Sequence, residues 1–259
     1  MLSTLHGAQG AMGMKRGQAA VATNGLKQNL VAHWSLYNMS AGGTFYDLHA
    51  GLSMFCGFKP GLQGYITSPY PSSREIPNSS GYAWYRDAAS SVPFQTGDKD
   101  FTICGWVYPF YVNSTRVILA KAISTAIDQT EYALSHNEMY GTNRLLKFQY
   151  GQQNVIWGAL TTWKKYLVIG WREKASNTIN IQVNNGTVVS AYAPDIAPVL
   201  NCGTGLCKWG DNAWGNWNAC MQAISIWISE PGAGGALSAA KRTALWNNGA
   251  GMRYDQYEP

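Results

Sequence analysis

Apolar and polar positions alternate with a period of two along most of this chain. Phe101, Ile103, Gly105 and Val107 fall on one side against Thr102, Cys104 and Trp106. Pro109 ends the run, because proline donates no hydrogen bond to a strand ladder. The same alternation predicts strands over 116–121, 131–135, 145–150, 165–171, 178–183, 187–190 and 220–229, with a shorter one at 82–85. Asn184-Asn185-Gly186 separates two of them. Asn and Gly tolerate the positive φ of a type I′ turn, so a hairpin is predicted there. The period changes once, over 237–249, where Ser238 is placed to cap the start of a short helix and Gly249 to follow its end.

These segments, in this order, resemble the laminin-G/concanavalin-A-like jelly-roll family. Phe101 to Pro109 is similar to that family's mid-domain strand, and Leu237 to Gly249 to its closing helix. Trp34 stands at the tryptophan of the opening strand, and Asp47 at the aspartate of the turn that follows. The opening strand is thereby expected over 29–37, and the ribbon around Asn184-Asn185-Gly186 and a strand over 205–210 resemble two further motifs. The resemblance covers about residues 29–250 and implies an all-β fold. That fold is a concanavalin-A-like jelly-roll sandwich of two antiparallel sheets, with an extended N-terminal arm and one short C-terminal helix. The expected organisation is an arm at 1–28, the jelly roll at 29–250 and a tail at 251–259.

Composition agrees with one β-rich domain of 259 residues, a length long enough for a substantial core. Glycine, at 28 residues, supplies tight turns, and the 11 tryptophans exceed what a core of this size needs, so some are expected at surfaces of contact. The formal net charge is +5, and no Asp or Glu precedes Asp47, whereas Lys15, Arg16 and Lys27 all do. Such an arm suits an acidic partner surface, and the three cations are taken as assembly-anchor residues. They are too few for a nucleic-acid-binding protein. No secretory signal or membrane-length apolar run is read in the sequence. The cysteine count is odd, at five. All are read as reduced thiols, consistent with assembly in a reducing cytoplasm.

Candidate chemistry is sparse. The resemblance often brings an acidic pair before the last strand, but Gln222 and Ala223 stand there, so no calcium, other metal or cofactor is expected. The glucanase members of the fold carry carboxylates spaced on one strand face, and no such spacing occurs here. Asp98 and Asp100 are read as a solvated turn. On these grounds the chain is expected to be non-enzymatic. The remaining signal is aromatic: Lys208-Trp209-Gly210-Asp211-Asn212-Ala213-Trp214 sets tryptophans among short polar side chains. Sugars are recognised this way, by stacking and by hydrogen bonds to hydroxyls. Trp214, Asn212 and Asp211 are the candidate glycan contacts, with Trp84 and Tyr85 as a second wall.

The primary expectation is a virion structural protein, such as a bacteriophage capsid decoration, head-fibre or tail component. It would be anchored by its arm to capsid or tail subunits and would display the jelly roll. The alternative is a carbohydrate-binding module or cell-surface adhesin that holds host glycans. Neither involves nucleic acid or membrane.

Overall fold

The computed structural model describes residues 24–39, 44–56, 65–66, 73–76, 84–86, 89–109, 116–123, 129–138, 144–206, 208–209, 213–214 and 219–259. The first strands are β1 (Leu30–Met39), β2 (Thr44–Asp47), β3 (Met54–Cys56), β4 (Tyr65–Ile66), β5 (Ser73–Ile76) and β6 (Trp84–Arg86). Then follow β7 (Asp100–Pro109), β8 (Arg116–Ala122), β9 (Thr130–Glu138), β10 (Arg144–Tyr150), β11 (Gln153–Ala159) and β12 (Tyr166–Glu173). The last are β13 (Thr178–Val183), β14 (Val189–Tyr192), β15 (Gly203–Leu206), β16 (Lys208–Trp209), β17 (Ala213–Trp214) and β18 (Ala219–Ser229). One helix, α1 (Ala239–Trp246), comes near the end.

All the pairings are antiparallel, in the order β11-β10-β9-β8-β15-β6-β3-β2-β1-β18-β7-β12-β13-β14. This ladder folds over on itself through β3 and β2 and makes two layers, so that β10 and β11 lie against β13 and β14. The inward-facing residues of both layers, among them Trp34, Phe101, Ile103, Leu134, Phe148, Tyr150, Val168 and Ile226, form the main core. Two glycines permit the closest approaches. A Cβ on Gly105 would lie 2.2 Å from Ile224 Cδ1, and one on Gly170 would lie 2.6 Å from Phe148 Cδ2. The chain is therefore an all-β, concanavalin-A-like jelly-roll sandwich with one short C-terminal helix.

Gln222 and Ala223, which stand where the resemblance brings an acidic pair, lie inside β18 at a bulge. Gln222 pairs with Trp106 and Ser225 with Cys104, so Ala223 and Ile224 together face Gly105, and Ala223 takes a φ of 51°. This kink seats Ile224 in the core over Gly105.

A second core lies on the outer face of the layer containing β18 and β7. Helix α1, the segment around Leu26 and Leu30, and the C-terminal segment around Tyr257 cover Trp106, Leu167, Ile169, Trp171 and Trp227 there. Ser238 caps the helix as expected, but the left-handed residue that stops it is Asn247, two positions before Gly249. The hairpin forms as expected, with Asn184 and Asn185 (φ 53° and 57°) as its central pair and the Gly186 amide closing on the Val183 carbonyl at 2.9 Å.

The boundaries at 28 and 251 need correction. Leu26 is fully buried in the second core, and Tyr257 is buried beside it. Asn24 donates its backbone N–H to Glu258 Oε2 at 2.9 Å and accepts the Glu258 N–H on Oδ1 at 2.9 Å. The Lys27 amide meets the Glu258 carbonyl at 2.8 Å, and Trp227 Nε1 donates to the Leu26 carbonyl at 2.7 Å. Residues 24–28 and 251–259 thus belong to the folded body, because burying Leu26 and Tyr257 needs both segments at once.

Candidate functional site

The antiparallel register sorts the connections to two ends of the sandwich. At one end lie the β14–β15 connection at 193–202, the 95–99 turn before β7, the β10–β11 turn and the 230–237 segment. At the other lie the starts of β6, β8, β10, β12 and β18, and with them the β11–β12 connection and the β16–β17 ribbon.

The first end is locked by buried charge. Lys121 and Glu131 are 1% and 0% exposed and pair at 3.0 Å. Lys121 Nζ also donates to the Val199 carbonyl at 2.9 Å and lies 3.0 Å from Cys202 Sγ. Glu131 accepts from the Thr96 hydroxyl at 2.8 Å, from the Thr96 and Gly97 amides, and from the Val199 amide at 3.1 Å. Every lone pair facing the interior has a donor, the condition under which a buried ion pair is tolerated. Nearby, buried Arg172 lies over the Tyr150 ring, donates to the Lys99 carbonyl at 3.0 Å and pairs with Asp195, which Lys174 also reaches. The reading of Asp98 and Asp100 as one solvated turn is corrected at Asp100, which is buried and accepts the amides of Lys174 and Gly232, each at 2.7 Å. An open cleft of about 240 Å³ lies beside this network, between the 151–153 turn and residues 194–199.

The second end is aromatic. Trp84 of β6 pairs with Leu206, the last residue of β15, and Tyr85 pairs with Gly205. The chain continues from Leu206 into β16, where Lys208 pairs with Trp214 and Trp209 with Ala213 in a two-stranded ribbon outside the main ladder. The expected strand at 205–210 is thus split, and the Trp84–Tyr85 strand and the Trp214 ribbon come to one end of one layer. Asp211 and Asn212 lie outside the described residues, as do Lys15 and Arg16. Lys27 belongs to the folded body, where its ammonium sits 5.3 Å from the centre of the Tyr254 ring.

Sequence reasoning missed Trp163. It is 60% exposed, on the β11–β12 connection, with a left-handed backbone (φ 62°) that a tryptophan seldom adopts. Its amide donates to the Pro109 carbonyl at 2.8 Å, and its ring meets that of Tyr108 edge-on at 6.3 Å. Pro109 is paired with Ala219, five positions after Trp214, which sets Trp163 at the same end as the ribbon. No periodicity marks such a residue. Only the Thr161-Thr162-Trp163-Lys164-Lys165 composition, polar around one indole, hints at it.

A third polar cluster serves the fold. Asp47 accepts four backbone amides, from His33 and His49 on Oδ1 and from Ala50 and Leu52 on Oδ2, at 2.7 to 2.9 Å. It therefore organises the turn it was matched to. Burial pushes the His33 imidazole down to about 3, and its Nδ1 lies 2.7 Å from Ser225 Oγ. Among the described residues no group of three or more His, Cys, Asp or Glu side chains is arranged to hold a metal.

No protein-family model matches the sequence, and no curated protein sequence does either. Solved structures do match the fold. A sialidase of Trypanosoma rangeli in complex with sialic acid superposes with a TM-score of 0.59 at 14% identity, over 87% of this chain and 34% of the sialidase. A mutant of that sialidase displaying trans-sialidase activity gives 0.58 at 14% identity over the same shares. A structure titled as a receptor binding domain gives 0.58 at 10% identity, over 87% of this chain and 52% of that one. This chain spans about a third of the length of the sialidases it matches. At these identities the likeness is one of fold, a lectin-like jelly roll.

The non-enzymatic expectation is corrected. It rested on the absent carboxylate spacing, yet the fold recurs within sialidase chains. Sialidases use a tyrosine nucleophile in place of the usual carboxylate pair, so that spacing is no criterion for excluding an enzyme.

Proposed function

We propose that this chain is a glycan-recognition module whose binding face is the aromatic end. The observation that carries the reading is the exposed indole of Trp163, held in a left-handed turn at the end where β6 and the β16–β17 ribbon meet. An indole offers a flat face to the CH face of a sugar, and a turn tied to a strand holds that face still before the ligand arrives. A neighbour in complex with sialic acid and another titled as a receptor binding domain support the same reading. The test is a glycan array probed with the full chain, followed by titration of the best binder against Trp163→Ala and Trp214→Ala. Each substitution is expected to weaken binding at least tenfold with the melting temperature held. Unchanged affinity in both variants would end the reading.

A second reading, display of this module on a virion, is favoured by one feature of the fold. The 23 residues before Asn24 join the body on the helix-covered face, where Gly25 lies beside Lys241 of α1. Deleting residues 1–23, which spares the Asn24–Glu258 contacts, is expected to stop incorporation into particles while the body stays folded. Normal incorporation of the truncated chain would reject the anchor.

A further inference from the structure

We infer that the glycan taken at the aromatic end is an anionic one, bearing carboxylate or sulfate groups; this rests on the glycan reading above. The argument is the separation of charge along the sandwich. Asp98, Asp100, Glu131, Glu173, Asp195 and Glu230 all belong to the cleft end. The cations found there are engaged: Lys99 with Glu230 at 3.2 Å, Lys121 with Glu131, and Arg172 and Lys174 with Asp195.

The aromatic end has the opposite balance. Arg116 opens β8, Arg144 opens β10, Arg74 lies in β5 beside the start of β18, Lys208 lies in β16, and Lys164 and Lys165 follow Trp163 directly. Among the described residues two acids share this end. Glu138 is directly opposite Arg144 in the β9–β10 ladder, and Glu75 follows Arg74. Among the described residues, Lys164 and Lys165 have no acid next to them in sequence. Lys165 is partly spent, since its ammonium donates to the Gly249 carbonyl at 3.0 Å and lies 4.6 Å from the centre of the Trp106 ring. Lys164 is exposed beside the exposed indole.

A molecule negative at one end and positive at the other draws anions to the positive end and turns them toward it as they approach. An indole next to an exposed ammonium then offers the two contacts an acidic sugar needs: an apolar face for its ring and a cation for its acid group.

The test compares matched pairs on the full chain: a sialylated oligosaccharide with its asialo form, and a sulfated one with its desulfated form. The acidic member is expected to bind at least tenfold tighter. Raising salt from 50 to 500 mM should erode that preference, because screening weakens exposed charge pairs. Lys164→Glu and, separately, Arg116→Glu should each cut the preference at least threefold while affinity for the neutral member holds, with circular dichroism confirming the fold. Equal binding of both members of each pair would overturn the anionic assignment and leave the glycan reading intact. Absence of binding to all four would remove both. Single-stranded DNA binding as tightly as the sulfated oligosaccharide would also overturn the assignment, because a bare polyanion surface ignores sugar structure.

Discussion

The two ends of the sandwich use polar residues in opposite ways. At the cleft end, Lys121, Glu131 and Asp100 are sunk among backbone amides and carbonyls that pair with them, so their chemistry is consumed in tying loops together. At the aromatic end, Trp163 stands on a turn fastened by the hydrogen bond from its amide to Pro109, and its ring meets Tyr108 edge-on while remaining 60% exposed. A buried charge whose donors and acceptors all belong to the same chain reports architecture. An exposed aromatic in a backbone conformation that it does not favour is, in the proposed reading, the feature kept for a ligand.

Stability measurements press hardest on that contrast. Glu131→Ala strands the Lys121 ammonium at 1% exposure, and urea unfolding should show a loss of about 3–5 kcal/mol, the usual consequence of breaking a buried pair on one side. A loss near zero would mean the pair is dispensable and the cleft end is no lock.

Acid should act next, at neither end. His33 titrates near 3 in the folded chain and near 6.5 unfolded, so the unfolded state binds the proton first. Stability is therefore complete above pH 6.5 and falls as pH drops below it, down to about 3. Melting temperatures between pH 6.5 and 5 should decline in the wild type and flatten in His33→Gln. Parallel declines would place the acid sensitivity elsewhere.

Asp100→Ala removes the buried carboxylate that accepts the Lys174 and Gly232 amides, and a loss of about 1–3 kcal/mol is expected in the same urea assay, the scale of hydrogen bonds to a charged group. A neutral result would return Asp100 to the solvated turn the sequence implied. The smallest effect is expected at the other end: Trp163→Ala should change stability by no more than about 0.5 kcal/mol, as surface substitutions usually do. If it costs as much as Asp100→Ala, the indole is structural and the contrast between the ends disappears.

Much of the fold was legible because its layers bury one face of each strand. The alternation in 101–109, the hairpin at 184–186 and the capped closing helix all express that burial. β11 was not legible, since its residues are largely exposed on both sides and Gly158 interrupts it. The site was legible only in part. Trp84, Tyr85 and Trp214 were chosen for composition, and their convergence depends on β6 pairing with β15, a long-range register that no local pattern encodes. Trp163 depends on a positive φ, and the charge separation on which end each loop occupies. Glu131 and Lys121 read as ordinary strand residues, because the donors that make their burial tolerable come from Thr96, Gly97 and Val199, far away in sequence.

The reciprocal bonds between Asn24 and Glu258 close the polypeptide into something near a ring. With residues 1–23 removed, a short linker from Pro259 to Asn24 would span the contact, and the chain could then be opened at the exposed turn residues 175–176 with every strand pairing kept. The order of the strands along the gene is in that sense arbitrary, and the same body could be spliced into a loop of a larger protein with little separation between the two points of entry.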